Sequence, residues 1–253
     1  MIHFVGAGSG AVDLITVRGA RLLGEADVVV YAGSLVNPEL LDLAQDGAEL
    51  HDSARMTLEE VLDVMVAADR AGREVVRLHT GDPCLYGAIR EQMDALDDQG
   101  VDYDYTPGVS SFSGAAAALR EEYTVPGVSQ SVIITRMAGR TPVPAGEDMA
   151  SLAAHGCSMV VFLSTGLLDE LTAELVKGAY DADTPAALVY KATWPEERVF
   201  RCTVGTLAQT ARDNGITKTA LVCIGDFLAD GGGYDRSKLY DPAFTTGFRE
   251  GSS

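Results

Sequence analysis

Three short runs of this chain place glycine beside hydroxyl or carboxyl side chains, the combination that lets a backbone approach a small ligand closely. The first is Gly6-Ala7-Gly8-Ser9-Gly10, directly after the apolar run Met1-Ile2-His3-Phe4-Val5. Glycines in such a turn allow amides to reach a pyrophosphate. The dinucleotide pattern fails, however: Ala11 at its sixth position is tolerated by a relaxed motif, but Tyr31-Ala32 stands where an acidic ribose ligand belongs. The second run is Thr80-Gly81-Asp82-Pro83-Cys84-Leu85-Tyr86-Gly87. Gly81 and Pro83 fix a turn, and Asp82 either accepts hydrogen bonds from a ligand or caps the next helix. The third is Pro107-Gly108-Val109-Ser110-Ser111, whose hydroxyls suit a helix cap or a ligand equally. No G-x-x-x-x-G-K-[ST] element occurs, so nucleoside triphosphate hydrolysis has no support.

Other chemistries are disfavoured. Cys84, Cys157, Cys202 and Cys223 show no C-x-x-C spacing and are expected to be buried apolar thiols. His3, His51, His79 and His155 never pair at helical spacing, so no protein-held catalytic metal is expected. The formal charge of -18 opposes nucleic-acid binding, and no basic run relieves it. Only four of the 19 basic residues are lysines, against 37 acidic residues. Such Lys-poor, acid-rich surfaces suit molar salt, where screening acts within ~3 Å, and a halophilic source is expected. The chain start lacks a basic region followed by a long apolar stretch, and no later run approaches a membrane span. A cytoplasmic protein without a membrane anchor is expected.

The elements that must position these runs alternate between strand and helix. Strands are expected at 1–5, 26–31, 74–78 and 101–105, then at 131–135, 159–163, 186–190, 198–203 and 220–224. Helices are expected at 16–23, 89–96, 114–119, 167–177 and 206–214. Thr57-Leu58-Glu59-Glu60 is a capping box, and apolar residues recur at helical spacing from Leu58 to Ala68. This alternation predicts an α/β protein with mostly parallel sheets. Two α/β domains are expected, at 1–113 and 114–232, with a polar, Gly-rich tail at 233–253 expected to be partly disordered.

Taken together, the three runs and their spacing resemble the tetrapyrrole methylase family. Matching stretches in the second half are Thr135-Arg136, Arg140-Thr141-Pro142-Val143-Pro144 and Val189-Tyr190-Lys191-Ala192-Thr193-Trp194-Pro195-Glu196. Tyr31-Ala32-Gly33-Ser34-Leu35-Val36 and Arg140-Thr141-Pro142-Val143-Pro144 resemble most the branch that methylates precorrin-4, or its cobalt form, at carbon 11 of the macrocycle. Family members usually read G-x-G-P-G-D-P-D-L in the first loop. Here Ser9, Ala11 and Val12 replace the first proline, the aspartate and the second proline, while Asp13 stays in register.

The resemblance implies two α/β domains of the non-Rossmann, class III methyltransferase type, a cleft site between them, a homodimer and S-adenosylmethionine as methyl donor. Cofactor contacts would then fall at Gly8, Ser9, Gly81, Asp82, Leu85, Ser110, Ser111, Leu163, Ala192 and Ala220. The substrate would be a polycarboxylate tetrapyrrole. Arginine forks suit its acetates and propionates, making Arg55, Arg136 and Arg140 the expected cations, with Tyr86, Tyr190 and Trp194 facing the ring. No protein nucleophile is needed for transfer from a sulfonium, and no general base is assigned. Any cobalt would arrive within the substrate. A sibling enzyme methylating another carbon, or a non-catalytic tetrapyrrole-binding protein, are the alternative readings.

Overall fold

A computed structural model describes residues 1–231 and 233–252. Gly232, at the end of the second expected domain, and Ser253, in the expected tail, lie outside the described residues. The chain divides into two compact units, Met1–Gly114 with Ala192–Glu196, and Ala115–Lys191 with Glu197–Ser253. The return of Ala192–Glu196 to the first unit is not visible in the pattern of the sequence.

The first unit runs β1 (Ile2–Gly6), α1 (Val17–Glu25), β2 (Val28–Tyr31), β3 (Glu49–Asp52), α2 (Leu58–Arg70), β4 (Val75–His79), α3 (Arg90–Asp98), β5 (Tyr103–Thr106) and the start of α4 (Ser111–Leu119). Its five strands lie in the order β3-β2-β4-β1-β5, and every pairing is parallel. Parallel sheets are covered on both faces, which explains why β1 and β4 are buried at every residue. Phe4, Val30 and Val75 face Val61, Met65 and Leu96, from α2 and α3. Val5, Val29 and Leu78 face Leu22 and Leu23, from α1. Each fully buried side chain of this kind contributes roughly 1.5–3 kcal/mol.

Helix α2 starts where the capping box predicts. Thr57 Oγ1 accepts from the Glu60 amide at 3.3 Å, and Glu60 Oε2 accepts from the Thr57 amide at 2.8 Å. Gly72, at φ 74°, follows its end. Strand β3 has no sequence signal, because its residues Glu49, Leu50, His51 and Asp52 carry no buried face at this sheet edge.

The second unit contains β6 (Val132–Arg136), α5 (Met149–Ala153), β7 (Ser158–Phe162), α6 (Leu168–Leu175), β8 (Pro185–Tyr190), β9 (Arg198–Thr203), α7 (Leu207–Asp213) and β10 (Ala220–Ile224). Its sheet has the order β6-β7-β10-β8-β9. Only β6 and β7 pair in parallel; β7–β10, β10–β8 and β8–β9 are antiparallel. The expectation of mostly parallel strands therefore fails here. The physical reason is a short connection from β8 to β9, too brief for a helical crossover, which makes a hairpin. Met159, Val161, Leu171, Leu175, Leu188 and Val222 are among the buried side chains of this unit's core.

The tail forms a 3-10 turn at Lys238–Tyr240, and the Arg249 guanidinium donates to the carbonyls of Leu239 at 3.1 Å and Asp241 at 2.5 Å. Among the described residues no helix is long and apolar enough to cross a membrane. Of the four cysteines only Cys223 is buried, and Cys84 is exposed, so the expectation of four buried thiols is corrected. Cys84 lies in the turn after β4, where the chain has left the sheet.

Candidate functional site

Because all five strands of the first sheet are parallel, every strand-to-helix turn emerges at one edge, where open α/β sheets hold ligands. There the three glycine runs meet. Gly8 and Gly81 exchange two backbone hydrogen bonds, at 3.2 and 2.8 Å. A Cβ on Gly108 would lie 2.2 Å from the Gly81 carbonyl oxygen, and one on Gly6 would lie 2.6 Å from Gly108 Cα. Glycine is required at both positions by close backbone approach.

Asp82 joins two of these turns. Its Oδ1 accepts from the Cys84 amide at 2.9 Å and from the Tyr105 hydroxyl, and its Oδ2 accepts from the Gly108 amide at 2.9 Å. Burial alone would raise its pKa, but the Tyr105 hydroxyl and the two amides hold the carboxylate below its usual range. Burial and the adjacent Asp82 push the Tyr105 phenol up, so it stays a donor. The carboxylate expected to await a ligand is thus engaged within the protein. Nor does it cap α3, which begins at Arg90; it caps the turn at Cys84.

The neighbouring expected residues follow from this frame. Leu85 is half-buried, and Tyr86 is 44% exposed on a left-handed backbone at φ 58°. Ser110 is buried, and its carbonyl accepts from the Ser113 and Gly114 amides to open α4, which begins at Ser111. Arg55 is exposed at the end of edge strand β3, with β2 separating that strand from β4. The structure does not bring it to Asp82.

The altered first loop is braced from far along the chain. Thr193 Oγ1 lies 3.0 Å from Ser9 Oγ and accepts from the Ala11 amide at 3.1 Å. Asn37 Nδ2 donates to the Gly10 carbonyl at 2.9 Å. The Trp194 indole lies against Gly10, where a Cβ would sit 2.1 Å from Trp194 Cδ1. Beside this loop is a cavity of about 570 Å³ whose lining includes Val12, Asp13, Asn37, Glu39, Leu43 and Trp194. Neither arginine nor lysine lines it, so carboxylates find no counter-charge there.

Beneath the edge, Arg77 donates to Gln92 Oε1 at 3.0 Å and to the Val30 carbonyl at 3.2 Å. Burial pushes its pKa down to about 10. His79 is buried, stacked on Phe4 with centroids 6.1 Å apart, and its Nε2 has no hydrogen-bond partner among the described residues. Burial, then the Arg77 charge, pushes its pKa down to about 3, so it is neutral at physiological pH.

In the second sheet one edge collects the ends of β6, β7 and β8 and the starts of β9 and β10. Arg136 pairs with Phe162, and Tyr190 pairs with both Ala220 and Arg198. Leu163, Lys191 and Thr219 all have positive φ there, between 48° and 60°. Left-handed backbone in non-glycine residues costs of order 1–3 kcal/mol each and concentrates at functional sites. Leu163 is also 66% exposed, an unusual placement for leucine beside a sheet. Ala220 is buried, and its carbonyl accepts from Thr165 at 3.1 Å. Ala192 is buried as well, within the segment that returns to the first unit.

The cations of this edge do different work. Arg136 donates to the carbonyls of Met137 and Thr141 at 3.1 Å and of Pro142 at 2.7 Å, closing the loop that carries Arg140. Arg140 itself is exposed and makes no hydrogen bond or ion pair among the described residues. The Arg198 guanidinium carbon lies 5.0 Å from the Tyr190 ring centroid, and Lys191 Nζ lies 5.9 Å from it. Sequence reasoning missed Tyr105 and Asn37, whose partners lie 23 and 27 residues away.

These edges belong to an α/β protein whose strand-end turns are packed by close backbone approach and left-handed backbone. The model of the Tetrapyrrole (Corrin/Porphyrin) Methylases matches residues 1–208, and the chain belongs to that family. It is 48% identical over 249 residues to the cobalt-precorrin-4 C(11)-methyltransferase of Methanocaldococcus jannaschii, covering 98% of this chain and 96% of that one. The X-ray structure of a cobalamin biosynthetic enzyme, cobalt precorrin-4 methyltransferase, is similar with a TM-score of 0.88 and 47% identity, covering 90% of this chain and 95% of that one. A uroporphyrin-III C-methyltransferase from Thermus thermophilus, solved in complex with S-adenosyl homocysteine, is similar with a TM-score of 0.74 and 27% identity, covering 90% and 93%.

Proposed function

We propose that this chain transfers a methyl group from S-adenosylmethionine to carbon 11 of precorrin-4 or cobalt-precorrin-4, giving the corresponding precorrin-5 during corrin-ring assembly. The observation that carries this reading is near-full-length identity to a C(11)-methyltransferase, with the turns at Gly81 and Gly108 intact. When bound, S-adenosylmethionine supplies a methyl group already activated by its sulfonium. The backbone-lined edge suits such a donor, because closely packed glycines expose main-chain groups where bulkier residues would cover them.

In this reading Gly8, Ser9, Gly81, Leu85, Ser110, Ser111, Leu163, Ala192 and Ala220 contact the methyl donor, and Asp82 acts by shaping the turn. Tyr86, Tyr190, Arg55 and Arg140 contact the macrocycle, and Arg136 presents Arg140. The macrocycle carbon is itself the nucleophile towards the activated sulfonium, so no protein nucleophile is assigned, and alignment of the two gains up to ~7–11 kcal/mol. We further propose a cytoplasmic homodimer adapted to molar salt. A melting-temperature series in KCl checks the last point: stability rises towards molar salt, whereas a maximum near 0.1 M contradicts it. The catalytic reading is tested by mixing the purified chain with S-adenosylmethionine and precorrin-4, with and without cobalt. A one-methyl mass gain on the macrocycle is expected; macrocycle bound but unmethylated would mark a tetrapyrrole-binding protein instead.

A further inference from the structure

We infer that Tyr105 is a positioning residue for methyl-donor binding, acting through Asp82 on the turns that carry Gly81 and Ser110. The inference rests on the proposed methyl donor. Its physical basis is the placement of one carboxylate among three donors from different stretches of chain. The Cys84 amide comes from the turn after β4, the Tyr105 hydroxyl from β5, and the Gly108 amide from the turn after β5.

An ionised carboxylate offers about four acceptor sites on two oxygens. Here Oδ1 serves Cys84 and Tyr105 while Oδ2 serves Gly108. Two of the three donors are main-chain amides, so the orientation of the carboxylate fixes the distance between the two turns. The hydroxyl is a side-chain donor, so unlike the two amides it can be removed with the backbone left intact; the Cys84 thiol is a second side-chain partner of the carboxylate. Without it, the half-buried carboxylate has one partner fewer, and its rotation about the Cβ–Cγ bond is less tightly set by the Cys84 and Gly108 amides that remain. The Gly81–Gly108 approach is then held less tightly, and the turns shift by the few tenths of an ångström that ligand hydrogen bonds detect.

Tyr103 supplies an internal control. It lies two residues earlier on the same strand and donates its hydroxyl to Asp97 Oδ2, on α3, at 3.1 Å, in an exposed pair. The two tyrosines share a residue type, a strand and a carboxylate partner. They differ in what the carboxylate holds.

The experiment titrates S-adenosyl homocysteine into the full-length chain and its Tyr105→Phe, Tyr103→Phe, Asp82→Asn and Tyr105→Phe/Asp82→Asn variants, with melting temperatures alongside. Tyr105→Phe is expected to weaken binding on the order of tenfold, equivalent to ~1.4 kcal/mol, with KM for the methyl donor raised and kcat within about twofold. Tyr103→Phe should bind as the unaltered chain does, and the double variant should bind no more weakly than Asp82→Asn alone. Unchanged affinity in Tyr105→Phe, equal losses in the two tyrosine variants, or additive losses in the double variant would overturn the inference. So would a Tyr105→Phe chain whose melting temperature falls while its affinity holds. Failure of the unaltered chain to bind S-adenosyl homocysteine would instead overturn the methyl-donor reading, and this inference with it.

Discussion

The loop at Gly6 to Asp13 and the turn at Thr80 to Gly87 lie side by side, joined through Gly8 and Gly81, yet they are held in different ways. The turn after β4 keeps its full Gly81-Asp82-Pro83 pattern and is tied by one carboxylate to a strand and turn within 26 residues. The first loop lacks the prolines and aspartate usual in its family. It is held by Thr193 and Trp194, which return more than 180 residues later, and by Asn37. An intact motif carries its own support; a degraded one relies on distant side chains. The position of the first loop therefore does not depend on the prolines and aspartate that it lacks.

The comparison is broken most severely at the glycine contact common to both segments. Gly108→Ala places a Cβ 2.2 Å from the Gly81 oxygen, a backbone atom that cannot rotate away. A loss on the order of 3 kcal/mol is expected from such overpacking, read from the urea midpoint at unchanged slope. Asp82→Ala comes next. It strands the Gly108 and Cys84 amides, and ~2 kcal/mol should be lost at neutral pH. Because the folded carboxylate titrates below its usual value, its contribution is complete above the unfolded aspartate pKa, about 4, and disappears as pH falls through the lower folded value. Unfolding curves of the two proteins should accordingly converge in acid and separate above that pH.

On the other side of the comparison, Thr193→Val keeps shape but removes the hydroxyl that Ser9 and Ala11 share, for a loss of ~1 kcal/mol. Thr193→Ser should retain stability, since the oxygen stays; equal losses in both would assign the effect to packing. The smallest stability change belongs to the second sheet. Arg140→Ala should shift stability by less than ~0.5 kcal/mol, because the side chain is exposed and unpaired among the described residues, yet it should raise KM for the macrocycle. Arg136→Ala frees three loop carbonyls and should lower both stability and macrocycle use. An unaltered macrocycle KM in Arg136→Ala would show that loop closure by Arg136 has no bearing on Arg140.

Much of the architecture is legible in local spacing. The Thr57 capping box and the apolar repeat after it define α2, and the β-branched runs at Val28 and Val75 define central strands. Features that depend on distant partners escape it. Polar β3 owes its strand to pairing with β2, and β10 enters antiparallel between β7 and β8 although its apolar run suits either direction. At the site, the clustering of the glycine turns follows from strand order. The engagement of Asp82 by Tyr105 and of Ser9 by Thr193 does not, because each needs the tertiary fold to bring its partner near.

The central claim, methylation at one carbon of the macrocycle, is tested most directly by a single-turnover reaction with ¹³C-methyl S-adenosylmethionine, followed by carbon NMR of the product. One labelled methyl bonded to carbon 11 is the expected result. Label on another carbon, or none on the macrocycle with the donor unconsumed, would contradict it.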